Sequence, residues 1–275
     1  MKKERTWFRR SPGRKRKEQK EPETIAPEAL PALEAANLQG LGNRTEQQDA
    51  FGVSPLERYE SDGLLAVLCD GMGGMAEGGR IAAETVEELL GAFPEMKETD
   101  MEPWLRRRSG RVYRQFRGCG GTTLVGVMLK GRMLSFWCAG DSDLLLLREG
   151  VLYSLNTRQE FRNELVLRAL AGAFPLEEAF RDGQAGALSE YIGKEEVCSD
   201  RTRIAFPLQP EDALLLCSDG VSDTLTPVQL GRAMALPPQA CCEKIEEDIR
   251  KAARPNQDNY TAILLKYHGK GERNR

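Results

Sequence analysis

From residue 37 onward, short apolar runs bounded by Gly, Asp or Asn alternate with stretches of helical spacing. Residues 64–69, 122–129, 133–138, 144–148, 213–217 and 260–267 are nearly uninterrupted apolar segments of strand length, the pattern of strands buried on both faces. Lys130-Gly131-Arg132 separates the second run from the third, which predicts a hairpin and therefore antiparallel pairing in part of the sheet. After Gly79, the positions Ala82, Val86, Leu89, Leu90 and Phe93 recur at helical spacing. Residues 102–116, 160–170 and 239–252 also read as helices, the last opened by Pro237-Pro238. There is no internal repeat, and no apolar run approaches the ~18 residues of a membrane span. Buried strands mixed with amphipathic helices predict a sheet core covered by helices.

Charge divides the chain in two. Residues 1–20 hold ten Lys/Arg against two Glu, a net of +8, whereas the other 255 residues are net −11. A Pro/Ala/Glu stretch follows from 21 to 36 and reads as a linker, so the expected organisation is a basic tail and linker over 1–36 and one domain over 37–268. The acidic body disfavours binding of nucleic acid. The tail, which includes Trp7-Phe8, is either a solvated segment or an electrostatic address for anionic lipid or an acidic partner, at about 1 kcal/mol per basic residue near a membrane. No apolar stretch follows the basic start, so a cytoplasmic, monomeric protein without a secretory leader is expected.

The single histidine removes several chemistries. His268 lies in a Lys/Gly-rich C-terminal stretch, a poor setting for a buried base, so histidine triads, histidine zinc sites and histidine phosphotransfer are disfavoured. The seven cysteines form no C-x-x-C pair and several sit inside apolar runs, where a reduced thiol acts as a small hydrophobe.

The acidic residues carry the chemical signal. Asp70-Gly71 ends the run 64–69, Asp219-Gly220 nearly repeats that arrangement after 213–217, Asp141 follows 133–138, and Asp258 precedes 260–267. Any one of these is ordinarily a turn, because Asp and Gly tolerate turn geometry. Four carboxylates brought together at strand ends would instead repel unless cations neutralise them, and an all-oxygen donor set selects Mg²⁺ or Mn²⁺. A glycine after Asp70 leaves room for its carbonyl to approach a metal. Arg44 is either a surface ion-pair partner or, beside a metal cluster, a planar fork for two phosphate oxygens.

Arg44-x-x-Gln47-Gln48-Asp49, Asp70-Gly-Met-Gly-Gly74, Gly120-Gly-Thr-Thr123, Gly140-Asp-Ser142, Ser218-Asp-Gly220 and Asp258-Asn259 occur in an order that resembles the protein phosphatase 2C family, metal-dependent Ser/Thr protein phosphatases, in its bacterial single-domain form. The resemblance runs from about residue 37 to 267. It implies an α+β fold of two packed antiparallel sheets flanked by helices on both faces. It further implies hydrolysis of phosphoserine and phosphothreonine by a hydroxide bridging two divalent metals, Mn²⁺ or Mg²⁺. Carried over motif by motif, Asp70 bridges both metals, the Gly71 carbonyl binds one, and Asp219 and Asp258 complete the other. Arg44 holds the phosphate, Asp49 orients water from behind the metals, Asp141 serves a weaker third metal, and 156–200 is a flap that contacts protein substrates. Phosphorylated proteins, and an opposing Ser/Thr kinase, are the implied partners.

Several positions depart from the family pattern. Gln47-Gln48-Asp49 stands where Asn-Glu-Asp is common, and Met72 where some eukaryotic members carry histidine. Gly140-Asp141-Ser142-Asp143 replaces Gly-Asp-Ser-Arg, and Arg158-Gln159-Glu160 replaces Asp-His-Ser. A second reading is a non-catalytic domain of the same fold that binds a partner or ligand. Retention of Asp70, Asp219 and Asp258 favours the enzyme.

Overall fold

The computed structural model describes residues 32–72 and 77–269. In chain order the elements are β1 (Leu33–Gly40), β2 (Asp49–Val53), α1 (Tyr59–Asp62), β3 (Leu64–Asp70), α2 (Gly78–Ala92), α3 (Met101–Phe116), β4 (Leu124–Lys130), β5 (Met133–Ala139), β6 (Asp143–Arg148) and β7 (Val151–Ser154). There follow α4 (Phe161–Leu170), α5 (Leu176–Arg181), β8 (Asp200–Arg201), β9 (Phe206–Pro207), β10 (Asp212–Cys217), α6 (Asp219–Ser222), α7 (Pro227–Met234), α8 (Pro238–Ala252) and β11 (Tyr260–Tyr267).

The strands form two antiparallel sheets. One runs β1-β11-β10-β6-β7; the other runs β2-β3-β4-β5-β8, with β9 also pairing β5. Because β3, β4, β10 and β11 are apolar on both faces, each sheet has two hydrophobic sides to cover. Leu64, Leu68, Val127 and Leu134 from one sheet meet Leu144, Leu216, Ile263 and Leu265 from the other in the central layer. The outer face of the first sheet packs on α7 and α8 through Leu230, Cys241 and Ile245, and that of the second on α2 and α3 through Ile81, Leu89 and Leu105. The result is helix, sheet, sheet, helix, the α+β sandwich that the resemblance implies.

All six apolar runs form strands, with ends shifted by a residue or two, and the four helical stretches form α2, α3, α4 and α8. The linker boundary needs correction. Strand β1 begins at Leu33, four residues inside the segment read as linker, and pairs along its whole length with β11 from Leu33↔Tyr267 to Gly40↔Tyr260. Its Ala- and Glu-rich sequence has low strand propensity, and burial of Leu33, Ala36 and Leu38 against a partner more than 200 residues away overrides it. The rest of the tail, residues 1–31, lies outside the described residues, as do Gly73 and Gly74.

Two further expectations are refined, one for the cysteines and one for His268. Cys69, Cys138, Cys217, Cys241 and Cys242 are buried free thiols, but Cys119 and Cys198 are exposed. His268 is not free in a tail: its Nδ1 lies 2.9 Å from Glu211 Oε1, just past the end of β11 remote from Asp258. No helix among the described residues is long and apolar enough to cross a membrane.

Candidate metal centre

The antiparallel registers bring the acidic residues to one end of both sheets. Asp49 opens β2 and faces Asp70, the last residue of β3, in the neighbouring strand. In the other sheet, Asp219 starts α6 two residues beyond β10 and Asp258 lies two residues before β11, so the pairing Cys217↔Ala262 brings both to the same end of the sheet. Asp141 lies in the turn between β5 and β6. A cleft of about 440 Å³ opens here, lined by Arg44, Gln48, Asp70, Gly71, Asp141, Asp219 and Asp258 among others. Asp49 does not line it; it is buried behind, where the Ser218 hydroxyl donates to its Oδ2 at 2.9 Å.

Both Asp-Gly pairs have a packing reason that the sequence alone does not reveal. A Cβ on Gly71 would stand 2.5 Å from the Gly78 carbonyl carbon, and one on Gly220 only 1.9 Å from the Asn259 carbonyl oxygen. Backbone presses on backbone at both carboxylate-bearing corners, and only glycine fits. Polar clips fix the same corners. The Asp70 carbonyl accepts from the Thr122 hydroxyl and the Thr123 amide, each at 2.8 Å, while the Asp70 amide donates to Thr123 Oγ1 at 2.9 Å. The Asn259 side chain accepts from the Gln48 amide at 2.9 Å and donates to the Leu41 carbonyl at 2.9 Å, joining the Arg44 loop to the β11 corner.

The electrostatics of the cleft are those of crowded, buried carboxylates. Burial, then Asp49, Asp219, Asp141 and Asp258, push the Asp70 carboxyl well above its usual range. Burial and the neighbouring Asp141, Asp223 and Asp258 raise Asp219 to about 7, and burial raises Asp141 to about 6. Asp49 is raised too, chiefly by burial, although bonds from Thr261 and Ser218 oppose the shift. Asp49 Oδ1 and Asp219 Oδ1 are buried without a hydrogen-bond partner. Such oxygens are costly unless something positive meets them. Among the described residues no three acidic, thiol or imidazole groups already form a closed ligand cluster. Carboxylates facing a cleft, completed by a backbone carbonyl and water, are nevertheless the usual donors for Mg²⁺ and Mn²⁺, and they fit these ions.

Arg44 is an ion-pair partner placed at the cleft. Its Nη2 donates to Asp258 Oδ2 at 2.6 Å, an ion pair half open to solvent, and it lines the cleft. Asp258 Oδ1 accepts from the Asn259 amide at 2.8 Å, so each Asp258 oxygen carries one hydrogen bond and keeps a further lone pair. Sequence reasoning missed several supporting groups: Thr123, Ser142, Ser218, Asn259 and Gln159. All but Gln159 stand within the motifs quoted above, so the signal was the motif rather than the acidic residue in it.

The protein phosphatase 2C family model matches residues 41–251. The chain belongs to the protein phosphatase 2C family. Within that family it is 26% identical over 216 residues to the serine/threonine phosphatase stp of Listeria monocytogenes serovar 1/2a, covering 73% of this chain and 83% of that one. It is 28% identical over 218 residues to the serine/threonine protein phosphatase PstP of Mycobacterium tuberculosis, covering 75% of this chain and 40% of the longer relative. The solved serine/threonine phosphatase of S. agalactiae superposes with a TM-score of 0.71 at 25% identity, over 85% of this chain and 98% of that one. The PstP catalytic domain, solved in complex with two manganese ions, has a TM-score of 0.67 at 23% identity, over 85% of this chain and 97% of its own. That pair shares the fold.

Proposed function

We propose that this cleft hydrolyses phosphoserine and phosphothreonine esters of proteins, with Asp70, Asp219, Asp258 and the Gly71 carbonyl holding the two divalent cations. The chain is a metal-dependent serine/threonine phosphatase of the protein phosphatase 2C family, and Mn²⁺ or Mg²⁺ suits its oxygen donors. The observation that carries the site assignment is the unpartnered buried Oδ1 of Asp219 among four further carboxylates. When bound, paired divalent cations bring the pKa of a shared water toward 7 and polarise phosphoryl oxygens.

The chain's own residues do the rest. Asp70, at the end of β3 beside the other carboxylates, would help to hold the cations. Asp49, locked by Ser218, presents its free Oδ1 to orient the attacking water. Arg44 leaves Asp258 and turns its planar fork to the phosphoryl oxygens, offsetting their charge in the ground and transition states. Asp141 serves a weaker third cation. The flap over 156–200 sends Leu188 and Tyr191 into the cleft wall and exposes Leu167, Leu170 and Phe180 on its helices, a surface suited to a protein substrate. The enzyme works as a cytoplasmic monomer against a Ser/Thr kinase.

The test is release of phosphate from p-nitrophenyl phosphate and from a phosphothreonine peptide, in Mn²⁺ and in EDTA. Turnover restored by Mn²⁺ or Mg²⁺ after EDTA is expected; full turnover in EDTA after dialysis overturns the metal mechanism.

A further inference from the structure

Arg158 sits at the root of the flap, partly buried, and its guanidinium ties three parts of the fold together. Its Nη2 donates to Asp143 Oδ2 at 2.6 Å and its Nε to both Asp143 oxygens at 3.2 Å. The same Nη2 donates to Ser222 Oγ at 2.8 Å, while Nη1 donates to Asp223 Oδ1 at 2.7 Å. Asp143 opens β6, two residues after Asp141; Ser222 and Asp223 close the turn that Asp219 begins, where the Asp223 amide donates to the Asp219 carbonyl at 2.7 Å. The adjacent Gln159 grips the residue before Asp141 from both sides. Its amide donates to the Gly140 carbonyl at 2.8 Å, and its Oε1 accepts from the Gly140 amide at 3.1 Å. Gly140 is itself confined: its φ is +111°, and a Cβ there would lie 2.7 Å from Thr123 Cγ2.

We propose that Arg158 is a positioning residue that holds Asp141 and Asp219 at a fixed separation for a divalent cation, and so couples the flap root to metal affinity. It touches neither proposed ligand's carboxylate. It acts through Asp143 on the strand after Asp141 and through Ser222 and Asp223 on the turn of Asp219. A guanidinium suits the task because its planar fork satisfies two carboxylates and a hydroxyl in fixed directions, which an ammonium does not. Its single positive charge also offsets part of the negative charge of Asp143 and Asp223, which would otherwise add more repulsion at a cluster already crowded with carboxylates. Asp143 and Arg158 are both departures from the family pattern, and here they pair with each other. The inference rests on the metal-centre reading above.

The test uses the full chain and reads metal binding directly. Mn²⁺ affinity of the wild type, Arg158→Gln and Arg158→Lys is measured by calorimetry and by the paramagnetic resonance of free Mn²⁺. KM and kcat at saturating Mn²⁺ and the thermal midpoint in EDTA are measured beside it. For Arg158→Gln the weakest-bound Mn²⁺ is expected to lose about tenfold in affinity, with KM for p-nitrophenyl phosphate unchanged. Arg158→Lys, which keeps the charge but not the fork, is expected to fall between. A third arm exchanges the pair: Asp143→Arg alone is expected to weaken Mn²⁺ binding, and Asp143→Arg with Arg158→Asp to recover part of it. Mn²⁺ affinity in Arg158→Gln and Arg158→Lys within twofold of wild type overturns the inference while leaving the metal centre intact. If Arg158→Gln does not fold, the lysine and exchange variants decide by the same criterion. A wild type that binds no Mn²⁺ overturns both readings.

Discussion

Asp219 is raised to about 7 because it is buried beside Asp141, Asp223 and Asp258, against an ordinary carboxyl value of 3.8. The linkage sign runs opposite to that of a salt-bridged aspartate. Between about pH 4 and 7 the folded metal-free protein binds more protons than the unfolded chain, so its stability falls as pH rises through that window. The thermal midpoint in EDTA is therefore expected to decline from pH 5 to pH 7.5, and saturating Mn²⁺, which replaces the protons, should flatten the decline. A midpoint in EDTA that rises with pH would contradict the convergence of carboxylates. Asp219→Asn removes the charge and leaves only a weaker, neutral oxygen donor. It is expected to lower Mn²⁺-dependent turnover by about a hundredfold or more, while the metal-free fold at pH 7.5 is at least as stable as wild type. Near wild-type turnover at low Mn²⁺ would return Asp219 to a turn residue. Arg44→Ala deletes a charge-assisted contact to phosphate, so KM should rise about tenfold to a hundredfold with a smaller change in kcat. It also frees Asp258 Oδ2, so half-saturation by Mn²⁺ is not expected to increase. At this scale the sequence was highly legible: five carboxylates and one arginine were visible in their motifs. What could not be read was partnership, namely that Arg44 rests on Asp258 and that Arg158 answers Asp143, because those contacts cross 214 and 15 residues respectively.

Strand β1 shows where reading by element fails. Its Leu33-Glu-Ala-Ala sequence carries no period-2 alternation and continues a Pro/Ala/Glu stretch, so nothing local marks a strand. The eight-residue ladder with β11 supplies the order instead. Strand β7 escaped notice for a related reason: it is an edge strand whose Val151 and Tyr153 face solvent. The buried strands and α2, α3 and α8 were legible because continuous apolar runs and amphipathic spacing survive without tertiary help. A chain beginning at Asn37 keeps the proposed ligands but strips Leu33 and Ala36 from the core, leaving half of β11 unpaired on that side. Losing the buried Leu33 side chain alone costs about 2–5 kcal/mol, which for a domain of this size lowers the thermal midpoint by several degrees at least. A chain beginning at Ala32 keeps β1 whole and is the control. Scanning calorimetry distinguishes them, and equal midpoints would make β1 dispensable. The smaller flap cluster of Leu165, Ala179 and Ala185 is a minor core of its own, separate from the three large ones. Local opening is expected there first, with faster amide exchange in α4 and α5 than in α2 or α8.

At the scale of the molecule, the family resemblance carried by six motifs between Arg44 and Asn259 foretold the fold more firmly than any propensity, since it implies which strand ends meet. Asp49 and Asp70 belong to one sheet, whereas Asp219 and Asp258 flank strands of the other. The Ser218–Asp49 hydrogen bond joins the two sheets at that end. A cation held, as proposed, between Asp70 of one sheet and Asp219 and Asp258 of the other would also be a clasp on the seam between the two leaves of the sandwich. Its binding adds to folding stability by mass action, about 2.7 kcal/mol when the free ion stands at a hundred times its dissociation constant. Drawn out with a chelator, the clasp should release only one edge: amides at Gly71 and Ser218 would exchange faster, while those of Leu33 and Tyr267 at the opposite edge would not. The supply of divalent ion would then govern the lifetime of the protein as well as its turnover, because a loosened seam offers a protease extended chain that the ion-bound form keeps paired.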